Sequence, residues 1–238
     1  MSLEVIFGSN ILLILVAYFI GSINFSIIVS KIFKKSDIRE KGSKNAGATN
    51  MARNFGFKIG FLVFFLDVSK SFWFAIISAI LRDFVPFFGA VITQLVVLFV
   101  IIGHVFPIYF KFKGGKGAAT NLGMIASLNI ILAIIGGIIF FAMIFRWKIV
   151  SLGSFITPFI LVIFMIIPWM NSSIIAYVGY SDFYQPVRES FQGAWYLSSL
   201  FLFLAALIIL FTHIPNIKKL IKKEESVLKF SKKSKKLA

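Results

Sequence analysis

The sequence predicts an all-α integral membrane protein: a seven-transmembrane-helix bundle with its N-terminus outside and its C-terminus cytoplasmic. Three observations carry that prediction. Of 238 residues, 59% are hydrophobic and only 14% charged, an apolar excess that one soluble core cannot hold. The apolar residues also fall in long runs, and about 20 helical residues cross a hydrocarbon core. Finally, the net charge is +16, and basic loops stay on the cytoplasmic side. Disorder is excluded by the same hydrophobicity. With no cysteine, disulfides, thiolate nucleophiles and zinc–thiolate sites are excluded too. The two histidines, His104 and His213, give no basis for a histidine-rich metal site, and no metal is expected.

The apolar runs lie near residues 10–32, 59–81, 87–110, 117–145, 149–169 and 195–212. The first follows nine residues whose only charge is Glu4. It lacks a basic flank and is too long for a signal h-region, so it reads as a retained helix. Before the second run, the loop over 33–58 carries Lys34, Lys35, Arg39, Lys41, Lys44, Arg53 and Lys58, which places it inside. The third run ends at Lys111, Lys113 and Lys116, inside again as two crossings require. As one helix the fourth would be about 44 Å long, too long for an upright span. Its polar residues Asn121, Ser127 and Asn129 come early, so it divides near 127–129 into a short helix near 117–127 and a full one near 129–146. So short a span requires packing against neighbouring helices. That division supplies a seventh crossing. Arg146, Lys148 and the tail from Lys218 then lie inside and the loop 170–194 outside, leaving only Lys70, Arg82 and Arg188 of the 25 basic residues off the cytoplasmic face. The expected organisation is a membrane domain over 1–216 and a basic cytoplasmic tail over 217–238.

Two basic loops hold more than topology requires. One reads Asp37-Ile38-Arg39, then Gly42-Ser43-Lys44-Asn45-Ala46-Gly47-Ala48-Thr49-Asn50, with Arg53 following. Glycines that turn the backbone, neutral donors and cations together suit an oxyanion such as phosphate. A helix beginning near Asn50 would add free amides. The other contains Gly103-His104-Val105-Phe106-Pro107 and then Lys113-Gly114-Gly115-Lys116-Gly117, whose glycines resemble a nest for phosphate oxygens. It is not a Walker motif, because no Ser or Thr follows Lys116.

Inside the apolar runs, Asp67 and Lys70 share a helical face. Each would cost about 2.5–3.5 kcal/mol near the bilayer centre, so they form an intramembrane pair or face a polar cavity. Ser151 and Ser154 open the next-to-last helix, where serines usually cap. His213 ends the last span at the same boundary as the two loops.

Taken together these residues resemble the bacterial membrane acyl-phosphate:glycerol-3-phosphate acyltransferases, the PlsY type. The resemblance rests on Gly21-Ser22-Ile23-Asn24-Phe25, on the two loop motifs, on Asp67 with Lys70, on Val150-Ser151-Leu152-Gly153-Ser154 and on His213 with Asn216. It implies a similar seven-helix fold in the cytoplasmic (inner) membrane with a cytoplasmic active site. It also implies transfer of a fatty acyl group from acyl phosphate to the 1-hydroxyl of glycerol 3-phosphate. The products would be lysophosphatidate and inorganic phosphate, the first step of bacterial phospholipid synthesis. The donor arrives activated, so no cofactor is implied. The partners implied are the two substrates, the bilayer and other phospholipid-synthesis enzymes in loose association, with no nucleic acid.

By position, the resemblance makes Ser43, Arg53, Lys116 and His213 catalytic. Asn45, Gly47, Thr49, Asn50, Ser151 and Asn216 bind substrate, as do the amides around Gly114 and Gly115. Either His213 or a substrate phosphate oxygen takes the hydroxyl proton. Two departures stand out: Lys44 replaces a family glycine, which adds a phosphate contact or imposes a positive φ that glycine tolerates better, and Thr212, Ile214 and Pro215 surround His213 where charged residues are expected. The competing class is a transporter of a phosphorylated metabolite, which calls for sites near the midplane.

Overall fold

The computed structural model describes residues 2–167, 170, 178 and 196–227, and among these it is helical with no strand. The loop expected at 170–194 lies outside the described residues apart from Met170 and Val178, as does the tail beyond Val227. Among the described residues the α-helices are α1 (Leu3–Ser22), α2 (Phe25–Lys34), α3 (Ala48–Phe55), α4 (Phe57–Phe84), α5 (Thr93–Val105), α6 (Ala118–Leu128), α7 (Ile130–Trp147), α8 (Val150–Met165) and α9 (Tyr196–Ile221). Among the described residues, five stretches are long and apolar enough to cross a membrane: Leu3–Lys34, Phe57–Phe84, Thr93–Phe110, Ile130–Trp147 and Tyr196–Ile221. The apolar helices Ala118–Leu128 and Val150–Met165 are shorter.

The first span breaks at Ile23 and Asn24, and the break is built from its own residues. Asn24 caps α2 by accepting from the Ile27 N–H at 3.1 Å. The break frees carbonyls at the end of α1, which a bilayer cannot hydrate. Lys70 Nζ of α4 donates to two of them, Gly21 O at 3.0 Å and Ile23 O at 2.8 Å. Here α1 and α5 pack backbone against backbone: a Cβ on Gly21 would meet Val100 O at 2.2 Å, and one on Gly103 would meet Tyr18 O at 2.3 Å. Such small-residue contacts let membrane helices approach closely.

The long fourth run divides at Asn129, whose backbone turns to an extended conformation. Its carboxamide oxygen accepts from the Ile131 and Leu132 N–H groups at 2.9 and 3.1 Å, capping α7. The third run starts later than expected, at Thr93, because Pro86–Phe88 forms a separate 3-10 turn. The last continues beyond 212 to Ile221 with Pro215 inside it. Proline removes one backbone donor but does not stop this helix.

The main core gathers Ala75, Val97, Ile101, Met124, Leu128, Leu132, Leu161, Leu202 and Ala205, from the six helices α4 to α9. Large side chains such as Phe7, Phe61, Phe65, Phe145 and Phe211 face outward, as lipid-facing helices require. A separate cluster (Ile27, Ile38, Ala46, Met51, Val63) anchors the first basic loop to the helix ends.

Candidate active site

The first loop is organised by one buried residue. The Asn50 Nδ2 donates to the carbonyls of Ile38, Lys41 and Asn45 at 3.2, 3.0 and 3.0 Å, and its Oδ1 accepts from the Ser43 N–H at 3.1 Å. Asn50 therefore shapes the loop with the groups expected to hold substrate. Gly42 and Lys44 turn through the left-handed region, at φ 54° and 59°. Lys44 thus takes the positive φ that glycine tolerates better, and it also lines the cavity described below. The Ser43 hydroxyl makes no hydrogen bond among the described residues and lines a cavity with Asn45, Gly47 and Thr49. Helix α3 begins at Ala48, two residues before the expected start, and no side chain caps its N-terminus. Its first amides therefore lie free at the cavity wall.

Arg39 ties this loop to the second. It grips Asp37 at 2.7 Å and donates to Phe110 O at 2.8 Å. The Arg39 hydrogen bond holds the Asp37 carboxyl below its usual range.

In the second loop, where the amides around Gly114 and Gly115 are expected to bind substrate, these two N–H groups are bonded within the chain: Gly114 N–H donates to Val105 O at 3.2 Å and Gly115 N–H to His104 O at 3.1 Å. The glycines are needed for close approach: a Cβ on Gly114 would meet His104 O at 2.1 Å, and one on Gly115 would meet His104 Nε2 at 2.1 Å. This folds the strap tightly over His104 and delivers Lys116 to the cavity. Gly117, at φ 86°, starts α6 without a side-chain cap. A second set of free helix amides, at Ala118 and Ala119, thus lines the same cavity.

Beneath the strap lies a buried charge cluster. Lys70 Nζ is 3.1 Å from Asp67 Oδ1 and 3.1 Å from His104 Nδ1, and His104 Nδ1 is 3.4 Å from Asp67 Oδ1. The expected pair is therefore formed, with His104 as a third member. The Asp67 oxygens make no well-directed hydrogen bond, so charge holds Asp67 to Lys70, whereas Lys70 Nζ donates a hydrogen bond to His104 Nδ1.

Helix α9 supplies the opposite wall. Thr212 Oγ1 donates to Lys116 O at 3.0 Å, and Lys116 Nζ donates to Asn216 Oδ1. His213 is buried, with Nδ1 2.8 Å from Ile209 O. A carbonyl only accepts, so Nδ1 carries the hydrogen, and in the neutral ring Nε2 keeps a lone pair. The Lys116 pKa falls from 10.5 to about 8, chiefly through burial; attraction to Glu225 opposes this, and repulsion from Lys219 and Arg53 adds to it.

Glu225 is the residue that sequence reasoning missed. Its Oε1 accepts from Ser151 Oγ at 2.9 Å and from Asn216 Nδ2 at 2.7 Å, linking α8 to α9. The neighbouring Ser226 accepts from Arg53 at 2.7 Å. The available signal was that Glu224 and Glu225 are the only acidic residues beyond Asn216.

Ser43, Asn45, Gly47, Thr49, Arg53, Gly115, Lys116, Ser151, His213 and Asn216 all line one cavity of about 590 Å³. Gly114 is packed behind it. The cavity continues between helices along Phe64, Leu122, Ile125, Gly137, Phe141 and Leu161, so one chamber joins a cationic, donor-rich end to an apolar arm. Among the described residues no three His, Asp or Glu side chains are grouped as metal ligands would be.

The chain resembles known proteins over nearly its whole length. The family model described as glycerol-3-phosphate acyltransferase matches residues 11–223. A glycerol-3-phosphate acyltransferase of Mycoplasmopsis pulmonis is 43% identical, covering 95% of this chain and 96% of its own. One from Mycoplasmopsis synoviae is 41% identical, covering 94% and 96%. The crystal structure of PlsY, an integral membrane glycerol 3-phosphate acyltransferase, in its glycerol 3-phosphate form superposes with a TM-score of 0.74 at 27% identity, covering 93% of this chain and 96% of that one. Its lysophosphatidic acid form gives 0.72 at 26% identity. The chain thus belongs to the glycerol-3-phosphate acyltransferase family of the PlsY type, whose members are integral membrane enzymes.

Proposed function

We propose that this acyltransferase takes its acyl group from acyl phosphate and delivers it to the 1-hydroxyl of glycerol 3-phosphate, releasing lysophosphatidate and inorganic phosphate. The observation that supports this reading best is the single chamber with a cationic end and an apolar arm. A donor with a phosphate head and a hydrocarbon tail matches both parts at once.

In this reading the acceptor hydroxyl oxygen attacks the acyl carbonyl carbon. The carbon–oxygen bond to phosphate then breaks, and phosphate leaves with the bonding pair. Lys116, Arg53, the Ser43 hydroxyl and the free amides of α3 and α6 offset the charge that develops on the oxyanion and leaving group. Ser151 and Asn216, held by Glu225, bind the acceptor beside His213. His213 orients the acceptor hydroxyl, and either its Nε2 or a substrate phosphate oxygen takes the proton. No covalent acyl-enzyme is required.

The same reading sets the chain in the inner membrane with seven crossings, the kinked α1 and α2 counting as one, and the chamber facing the cytoplasm. It is supported by Arg53, Lys116 and Lys219 lining one end of the chamber, since basic ends stay inside. That the donor-rich end lies at helix termini argues against a transporter. The donor is tested with purified protein in lipid, given glycerol 3-phosphate and either palmitoyl phosphate or palmitoyl-CoA. Turnover with the phosphate alone is expected; turnover only with the thioester would reject the donor assignment.

A further inference from the structure

We propose that Gly137 determines how long an acyl chain the chamber accepts. The inference rests on the acyl-transfer reading above and assigns a specificity role to one position in the apolar arm. Helix α6 has only 11 residues and packs against both α4 and α7. It therefore floors a groove whose walls are Phe64 of α4 and Phe141 of α7. Both phenylalanines line the chamber and keep 36% and 56% of their surface accessible.

Two adjacent glycines of α7 behave differently at this groove. A Cβ on Gly136 would meet Leu161 Cδ1 at 2.7 Å, whereas one on Gly137 would meet nothing within 4 Å. Gly136 lets α7 close on α8; Gly137 leaves room beside the groove. Neither has a positive φ, so the backbone does not demand glycine at 137. A mid-helix glycine weakens a helix relative to alanine, and packing gives no reason for it here. What the absent side chain provides is open volume on the chamber wall. Gly137 stands ten residues before Trp147, where α7 ends near Ser151, which is about 15 Å along the helix. A short acyl chain held at the polar end would stop before this position, and a long one would pass it.

The test replaces Gly137 with Ala and with Leu in the full chain in lipid. Octanoyl, lauroyl and palmitoyl donors are compared, each series run with acyl phosphates and with acyl-CoA thioesters. In Gly137→Leu the palmitoyl-to-octanoyl ratio of kcat/KM should fall on the order of tenfold. Gly137→Ala should fall between, with the KM for glycerol 3-phosphate unchanged in both. An unchanged ratio, or an equal loss at every chain length, would overturn the proposal. Wild-type turnover with thioesters alone would instead reject the donor reading, and the length ratio would still be read from that series.

Discussion

At the residue scale, Lys116 carries the clearest pH signature. Its folded pKa of about 8 lies below the ordinary 10.5 because burial disfavours the charged form. As pH rises through about 8 the folded enzyme loses this cation. The kcat/KM for glycerol 3-phosphate should therefore fall there, and Lys116→Arg should flatten that limb. A pH–rate profile checks both. Stability moves the other way: between about 8 and 10.5 the unfolded chain holds the proton that the folded chain has lost. The Lys116 contribution to stability therefore rises with pH across that window. His213→Ala should lower turnover or weaken acceptor binding, and wild-type values of both would remove its orienting role. Lys44 sits at φ 59°, and a left-handed conformation costs a non-glycine residue about 1–2 kcal/mol. Lys44→Gly should raise the melting temperature by a few degrees, the gain being reduced by glycine's greater freedom in the unfolded chain. A fall would show that the lysine makes a compensating contact.

Much of this scale was legible from residue type and spacing, because Gly, Ser, Asn and cations mixed in two loops imply an anion site. What was not legible was which polar groups are already occupied. Asn50 and the amides of Gly114 and Gly115 look like ligand groups in sequence, yet each is committed to backbone partners. Glu225 was hidden for the opposite reason: the lysines around it suggested a solvated tail, and only the fold brings its carboxylate to Ser151 and Asn216.

At the scale of elements, breaks in helices matter as much as helices. The interruption at Asn129 was readable, because polar residues cluster there inside a run too long for one span. The interruption at Asn24 was missed although Gly21, Ser22, Asn24 and Ser26 mark it within the run; what sequence could not show is that Lys70, 47 residues beyond Ile23, takes up the freed carbonyls. The Asp67–Lys70–His104 cluster supports both that break and the strap that carries Lys116. Removing one member of a buried pair leaves an uncompensated charge, at a cost of about 3–5 kcal/mol. Asp67→Asn and Lys70→Met should each destabilise the folded protein by that order. The double variant should lose less than the sum of the two. Thermal unfolding in detergent reads this cycle, and strict additivity would mean that the two charges act independently.

At the scale of the whole molecule, apolar content and basic loops sufficed for a helical membrane protein, and the family match agrees with that architecture. The outline came through because lipid constrains helix length and hydrophobicity in ways that sequence records directly. The chamber did not, since it depends on how a short α6 packs between longer neighbours. Orientation is testable on the intact protein, because the chain has no native cysteine. Phe87→Cys should react with a membrane-impermeant thiol reagent in whole cells, and Lys58→Cys only after permeabilisation. The reverse pattern would invert the topology.

The central claim is direct transfer between two substrates that share one chamber. Its most direct test is to follow phosphate and lysophosphatidate together after the purified protein, in lipid without coenzyme A, meets acyl phosphate. Direct transfer predicts no phosphate burst until glycerol 3-phosphate is added, then the two products in equal amounts. A burst equal to the enzyme concentration before acceptor is added would show a covalent acyl-enzyme and contradict the account.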